Sequence, residues 1–145
     1  MFRMRLALLE AVAVILTLGG DATAAGKGAK ETTTKKGPTE LEKALVEVAR
    51  EGYTAYLEEV EVGKIIPSEE MFRWSRRWLD AQRTLSDKKA DQVAAFKAHC
   101  DRMKEMEKRL KGFFDAGKIG VKDYKAGQYR YVQAQIWLAR AQSQR

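Results

Sequence analysis

From residue 39 to the C terminus, apolar side chains recur at spacings of three and four residues, which is typical of amphipathic α-helices. The chain shows no period-two alternation, and it lacks the Asn-Gly or Asp-Gly turns that mark β-hairpins. A capping box, with Thr39 as N-cap and Glu42 three residues later, opens the first helix. The pattern therefore predicts an all-α domain over residues 39–145. Its four helices are expected near residues 39–62, 68–85, 87–116 and 121–142.

The same spacings predict which side of each helix is buried, and local signals predict where the helices begin and end. Ser68 and the Ser86-Asp87 pair are expected to cap the second and third helices, and Gly63 and Gly117 to end the first and third. The residues expected in the core are Leu41, Leu45, Val48, Gly52, Ala55 or Tyr56, and Val60 in the first helix, Met71, Trp74, Trp78, Ala81 and Leu85 in the second, Val93, Phe96, Cys100, Met103, Met106, Leu110, Phe113 and Phe114 in the third, and Tyr124, Tyr129, Val132, Ile136 and Ala139 in the fourth, with Tyr131 and Leu138 on an adjoining strip. Gly127, inside the fourth helix, predicts a local bend or a close helix contact.

Two parts of the helical domain resemble each other. Residues 62–65, Val-Gly-Lys-Ile, match residues 116–119, Ala-Gly-Lys-Ile, and residues 77–85 match residues 130–138 through a shared Arg-aromatic-x-x-Ala-Gln-x-x-Leu pattern. This spacing predicts a duplicated αα-hairpin, and hence tandem hairpins forming an antiparallel four-helix bundle or coiled coil. Chance similarity between two amphipathic helices is the alternative.

The first 24 residues have the order of a secretory signal peptide: Arg3 and Arg5, an apolar stretch over residues 6–18, then Ala-Thr-Ala at residues 22–24. We expect cleavage near Ala24 and a location in the periplasm or outside the cell. An uncleaved N-terminal anchor is the alternative, but the apolar stretch is shorter than the roughly 20 residues that a bilayer requires.

Residues 25–38 show no apolar periodicity and are predicted to be a disordered basic linker. The linker is either a solvated spacer or an electrostatic arm that contacts an anionic envelope surface. The cations available for that contact are Lys27, Lys30, Lys35 and Lys36.

Composition limits the chemistry that the chain can perform. The 27 lysines and arginines against 20 aspartates and glutamates give a net charge of +7, which favours anionic partners without choosing among them. One Cys cannot close an intrachain disulfide, and one His with one Cys cannot complete a zinc site. Hydrolase and phosphate-loop motifs are missing from the sequence. We therefore expect no enzymatic activity, no metal and no cofactor.

Basic residues alternate with aromatic ones along the second helix, a composition also found in nucleic-acid binders. Because the tryptophans fall on the apolar stripe, stacking of Arg on Trp at the rim of the bundle is the better interpretation, and no nucleic-acid partner is expected. Cys100 is interpreted as a buried thiol, with an intermolecular disulfide as the alternative if it is exposed. The residues predicted to contact a protein partner, or a second copy, are Trp74, Arg77, Trp78, Tyr131 and Trp137.

A family resemblance rests on residues 114–119, Phe-Asp-Ala-Gly-Lys-Ile, then Asp123-Tyr124, then residues 133–141, Gln-Ala-Gln-Ile-Trp-Leu-Ala-Arg-Ala. With a weaker echo over residues 62–85, this resembles the periplasmic helical hairpin of outer-membrane efflux channels of the TolC type. The membrane-spanning β-strands of that family have no counterpart here, and its export duct is not implied for this chain. The resemblance implies a coiled periplasmic portion standing alone.

Together these features predict an exported, non-enzymatic helical interaction or structural module of the cell envelope. A periplasmic holdase or stress-response protein that binds anionic or unfolded clients is the alternative.

Overall fold

The computed structural model describes residues 37–143, so the predicted signal peptide and all of the predicted linker except Gly37 and Pro38 lie outside the described residues. Within residues 37–143 the chain forms four α-helices and no strand, which confirms the all-α prediction. The helices are α1 Glu40–Glu61, α2 Glu69–Thr84, α3 Lys89–Asp115 and α4 Val121–Ser143. In this part of the chain no helix combines the length and apolar character needed to cross a bilayer.

Each helix packs on its neighbour in sequence. The extensive contacts are α1 with α2, α2 with α3, and α3 with α4, which leaves α1 and α4 at the two ends of the series. One core cluster lies between α3 and α4 around Met103, Met106 and Leu110, and a second lies between α1 and α2 around Tyr53 and Met71. The short connections make successive helices antiparallel neighbours.

The ends of the helices follow local signals, with two exceptions. The Thr39 hydroxyl accepts a hydrogen bond from the Glu42 backbone at 3.2 Å, and the Glu42 carboxylate accepts one from the Thr39 backbone at 2.7 Å, which confirms the capping box. Gly63 and Gly117 follow α1 and α3 with φ of 71° and 67°, a conformation that favours glycine at a helix end.

The two exceptions concern the serines. The prediction for Ser68 is wrong in part, because the residue stands at the N-cap but its side chain makes no capping hydrogen bond. α3 begins at Lys89 rather than near residue 87, because the Ser86 hydroxyl donates to Asp91 at 2.6 Å and accepts from the Lys88 backbone at 3.2 Å, which holds the chain in a turn.

The predicted buried sides of α2 and α3 are largely correct, and those of α1 and α4 are correct only in part: Val60 is buried, and Tyr124, Tyr131 and Leu138 pack on the core as expected. In α1, Ala49, Tyr53 and Val60 are buried, and in α4 the buried positions are Gly127, Ala134 and Ala141, seven residues apart. Small residues lie against the neighbouring helix, Ala49 and Gly52 on α1 and Gly127 and Ala134 on α4, and they allow close approach of the backbones. The apolar residues that were expected inside but are exposed are Leu41, Leu45 and Val48 on α1, Phe114 on α3, and Tyr129, Val132, Ile136 and Ala139 on α4.

Glycines explain why α1 and α4 bury these sides. A Cβ on Gly52 of α1 would lie 2.4 Å from the Trp74 ring of α2, and a Cβ on Gly127 of α4 would lie 2.4 Å from Leu110 of α3. At both glycines, therefore, a side chain of the neighbouring helix occupies the space that a side chain at the glycine position would need. Rotating either helix to bury its larger apolar residues would lose that contact.

Candidate functional site

An apolar face remains uncovered on the N-terminal half of α1. It consists of Leu41, Leu45 and Val48, whose exposed fractions are 83%, 54% and 56%, and we call it the α1 face. The residues repeat at spacings of four and three, so they form one row along the helix. Rows of large exposed apolar side chains are uncommon on isolated soluble domains, and they mark surfaces that contact another molecule.

The α1 face continues into an open groove between α1 and α2. Trp74 forms part of its wall by packing on Gly52, and the Arg77 guanidinium lies 4.5 Å from the centre of the Trp74 ring. The groove encloses about 320 Å³, and we call it the α1–α2 groove. The residues that line it are Leu45, Val48, Ala49, Trp74, Arg77, Asp80, Ala81 and Thr84.

The groove has the composition of a site for an apolar helix. Its floor is formed by Ala49 and Ala81, which are both buried and small enough to admit a side chain from a partner. Arg77 and Asp80 supply opposite charges at its edge. An apolar centre with a polar rim is the usual anatomy of a protein interface.

The five residues predicted for partner binding do not form one surface. Trp74 and Arg77 line the α1–α2 groove together. Trp78 packs against Tyr53 with ring centres 5.9 Å apart, and the Arg102 guanidinium lies 4.1 Å from its ring centre. Half-buried Tyr131 packs on the core cluster between α3 and α4.

Trp137, the fifth residue, packs inside the bundle and also borders a basic cavity. Its ring stacks on buried His99 with ring centres 5.7 Å apart, and the Arg76 guanidinium lies 4.2 Å from its ring centre. Stacking of Arg on Trp was predicted for the second helix, and the contact of Arg77 with Trp74 confirms it. The cavity beside Trp137 is lined by Arg76, Arg83, Asp87, Lys89, Gln92, Phe96, Trp137, Arg140 and Ala141.

A buried polar cluster joins α2 to α3, and the sequence did not predict it. The Ser75 Oγ lies 2.9 Å from the His99 Nδ1, and the Arg102 Nε donates to the same Oγ at 2.8 Å. The Ser75 oxygen therefore accepts from Arg102 and also hydrogen-bonds to the imidazole of His99. The His99 Nε2 is buried and has no hydrogen-bond partner among the described residues.

The distance between Ser75 and His99 is that of a nucleophile and its base, but their surroundings oppose catalysis. Both residues are 0% exposed, so a substrate has no access to the hydroxyl. Burial, and then the charges of Arg102 and Arg76, lower the pKa of His99 to about 3, which makes it a weak base. The cluster holds two helices together rather than performing chemistry.

One feature of the sequence indicates this cluster: a serine lies on a buried row of α2. Ser75 lies four residues after Met71 and four before Leu79, and all three are 1% exposed or less. A serine on that row must find a buried partner. The sequence alone does not identify that partner, because His99 is 24 residues away.

Cys100 is buried, as predicted, with 8% of its surface exposed. Burial raises the pKa of its thiol. The condition for an intermolecular disulfide, an exposed thiol, is therefore not met in this conformation. Over residues 37–143, no group of three or more His, Cys, Asp or Glu side chains is placed to hold a metal ion.

No protein-family model, curated protein or solved structure matches this chain. Its functional assignment therefore depends on the surfaces described above.

Proposed function

We propose that this protein is a non-enzymatic interaction module that binds a helix of a protein partner on the α1 face and in the α1–α2 groove. The observation that carries the proposal is the exposure of Leu41, Leu45 and Val48 beside a groove with an apolar floor. An amphipathic helix laid along this groove would cover the row and place its own apolar residues against Trp74.

Two contacts orient the Trp74 ring before a partner arrives. Trp74 packs on Gly52, and the Arg77 guanidinium lies 4.5 Å from the centre of its ring. Fixed aromatic side chains contribute to affinity because little conformational freedom is lost on binding. We expect Trp74 and Arg77, among the five residues predicted from the sequence, to contact the partner directly.

We further propose that the protein acts in the cell envelope after export. The signal-peptide pattern of residues 1–24 and the resemblance to the hairpins of TolC-type efflux channels support this location. N-terminal sequencing of the protein recovered from fractionated cells tests it. A mature chain that begins at Ala25 in the envelope or medium is expected, whereas an intact Met1 on a cytosolic protein would contradict export.

Photo-crosslinking in living cells tests the binding proposal. A photoreactive amino acid at Leu45 should produce a defined crosslinked protein, because this position is covered when a partner is bound. The matched control carries the same group at Val62, an apolar residue that is 68% exposed but lies at the end of α1 beyond the groove. Adducts that are equally sparse from both positions would refute the proposed surface.

A groove variant provides the second arm of this test. Val48→Gln with the photoreactive group at Leu45 should reduce the adduct, because a polar side chain then lies in the apolar row. Loss of the adduct without loss of helix content, measured by circular dichroism, supports binding at the groove. An unchanged adduct would place the partner elsewhere.

A further inference from the structure

We infer that the partner of the α1 face is a second copy of this chain, which contributes the exposed side of α4. This inference rests on the proposed function, since it names the helix that the α1–α2 groove receives. It would make the protein self-associate in a head-to-tail manner, with α1 of one copy on α4 of the next.

α4 carries an uncovered apolar row that matches the one on α1. Tyr129, Val132 and Ile136 are 67%, 51% and 45% exposed, and we call them the α4 face. Their spacings of three and four continue to exposed Ala139. Rows with this spacing are the seams along which two helices pack with interlocking side chains.

The charges of the two helices are complementary. α1 contains seven glutamates against Lys43 and Arg50, a net charge of −5. α4 from residue 124 to residue 143 contains Lys125, Arg130 and Arg140 and no carboxylate, a net charge of +3; Arg130 is paired with Glu69 of α2, so Lys125 and Arg140 are the cations that face outward. Pairing α1 with α4 therefore brings opposite charges together, whereas pairing α1 with a second α1 brings ten excess negative charges together.

The bordering residues are consistent with that pairing. Glu51, three residues after Val48, lies at the end of the row on α1, and Gln135 and Gln142 border the row on α4. Glutamine amides donate hydrogen bonds to carboxylates. Arg140 lies one residue beyond Ala139, on the edge of the same row. The α4 border therefore offers donors where the α1 border offers acceptors.

The order in which the helices pack within the chain also favours packing of α1 of one copy on α4 of another. Each helix contacts the next in sequence, so α1 and α4 stand at opposite ends and each lacks a neighbour on one side. A second copy whose α1 packs on α4 continues the series. Because the two contacting surfaces differ, the association is heterologous, and it propagates into an open array or closes into a ring.

Analytical ultracentrifugation of the full chain with two variants tests the inference. One variant changes the α1 face, Leu41→Gln with Leu45→Gln and Val48→Gln; the other changes the α4 face, Tyr129→Gln with Val132→Gln and Ile136→Gln. All six positions are exposed, so the fold is expected to survive, and circular dichroism verifies it. Each variant should weaken self-association by about 30-fold or more, as loss of a central apolar contact does. Val62→Gln, at an equally exposed apolar position, should associate like the unchanged chain.

Mixing the two variants gives the decisive result. Each retains the surface that the other lacks, so an equimolar mixture should form a 1:1 heterodimer that grows no further. Failure of the mixture to associate, or an α4 variant that associates like the unchanged chain, would overturn the inference. Raising the salt concentration should weaken the association, because opposite charges attract across it; strengthening by salt would instead indicate α1 paired with α1.

The crosslinking experiment separates this inference from the proposed function. An adduct from Leu45 at twice the mass of the chain supports both. An adduct of a different mass, together with variants that sediment as the unchanged chain does, would overturn the inference and leave the helix-binding function intact.

Discussion

His99 is the residue whose charge state depends most on folding. It is fully buried against the stacked Trp137 ring, and the cations of Arg102 and Arg76 face it. Protonation of the buried imidazole in the native state would therefore place a third positive charge in the cluster.

This arrangement predicts that acid destabilises the fold. Between the ordinary pKa of 6.5 and the native pKa of about 3, the unfolded chain binds a proton at His99 that the native chain does not. The free energy of unfolding should therefore fall as the pH falls from 7.5 to 5, with a limiting slope of about 1.4 kcal/mol per pH unit. Urea denaturation across that range measures the slope.

His99→Gln is the matched control for this prediction, because an amide can still hydrogen-bond to Ser75 and does not titrate. The variant should show a much flatter dependence of unfolding free energy on pH above pH 5. Identical slopes for the two proteins would contradict the assignment of the acid sensitivity to His99.

At the scale of the helices, glycine has opposite roles in two places. On α1, Gly52 leaves room for the Trp74 ring, whose atoms lie 2.4–2.6 Å from where a Cβ would stand. On α3, Gly112 faces open space, and nothing lies within 4 Å of its missing Cβ. The first glycine is required for packing, whereas the second only weakens a helix.

Alanine substitutions should therefore change stability in opposite directions. Gly52→Ala should lower the free energy of unfolding by about 1–3 kcal/mol, because the rigid Trp74 ring must move. Gly112→Ala should raise it by about 0.5–1 kcal/mol through helix propensity. Thermal and urea denaturation of both variants measure these effects, and stabilisation by Gly52→Ala would contradict the close approach of α1 and α2.

The helices were predictable to within about two residues because their signals are local. The Thr39 capping box and the glycines after α1 and α3 act on their own backbone, and periodicity fixes the helix between them. A close contact at Gly127 was expected, but the sides that α1 and α4 bury depend on which side chains meet across two helices, Trp74 on Gly52 and Leu110 on Gly127, and periodicity does not show this. The sequence therefore grouped the residues of the α1 face correctly as one apolar row, but it assigned that row to the core.

At the scale of the whole molecule, the uncovered ends of the helix series carry the functional assignment. α1 and α4 each have a neighbour on one side and a row of exposed apolar residues on another. The sequence predicted partner contacts at five residues, of which Trp78, Tyr131 and Trp137 are half-buried and pack against residues of the bundle. Large aromatic residues suit both a core and an interface, so composition alone does not separate the two roles.

Thiol labelling of a single introduced cysteine tests the central claim, that the α1 face is covered by another chain in the cell. Cys100 gives little background because it is buried and its pKa is raised. In dilute purified protein, Leu45→Cys and Val62→Cys should react with a maleimide at similar rates, since both positions are exposed.

In intact cells, Leu45→Cys should react several-fold more slowly than Val62→Cys, and the added change Val48→Gln should restore its rate. Equal labelling of Leu45→Cys and Val62→Cys in cells would show that the α1 face is open to solvent there, and would contradict the account.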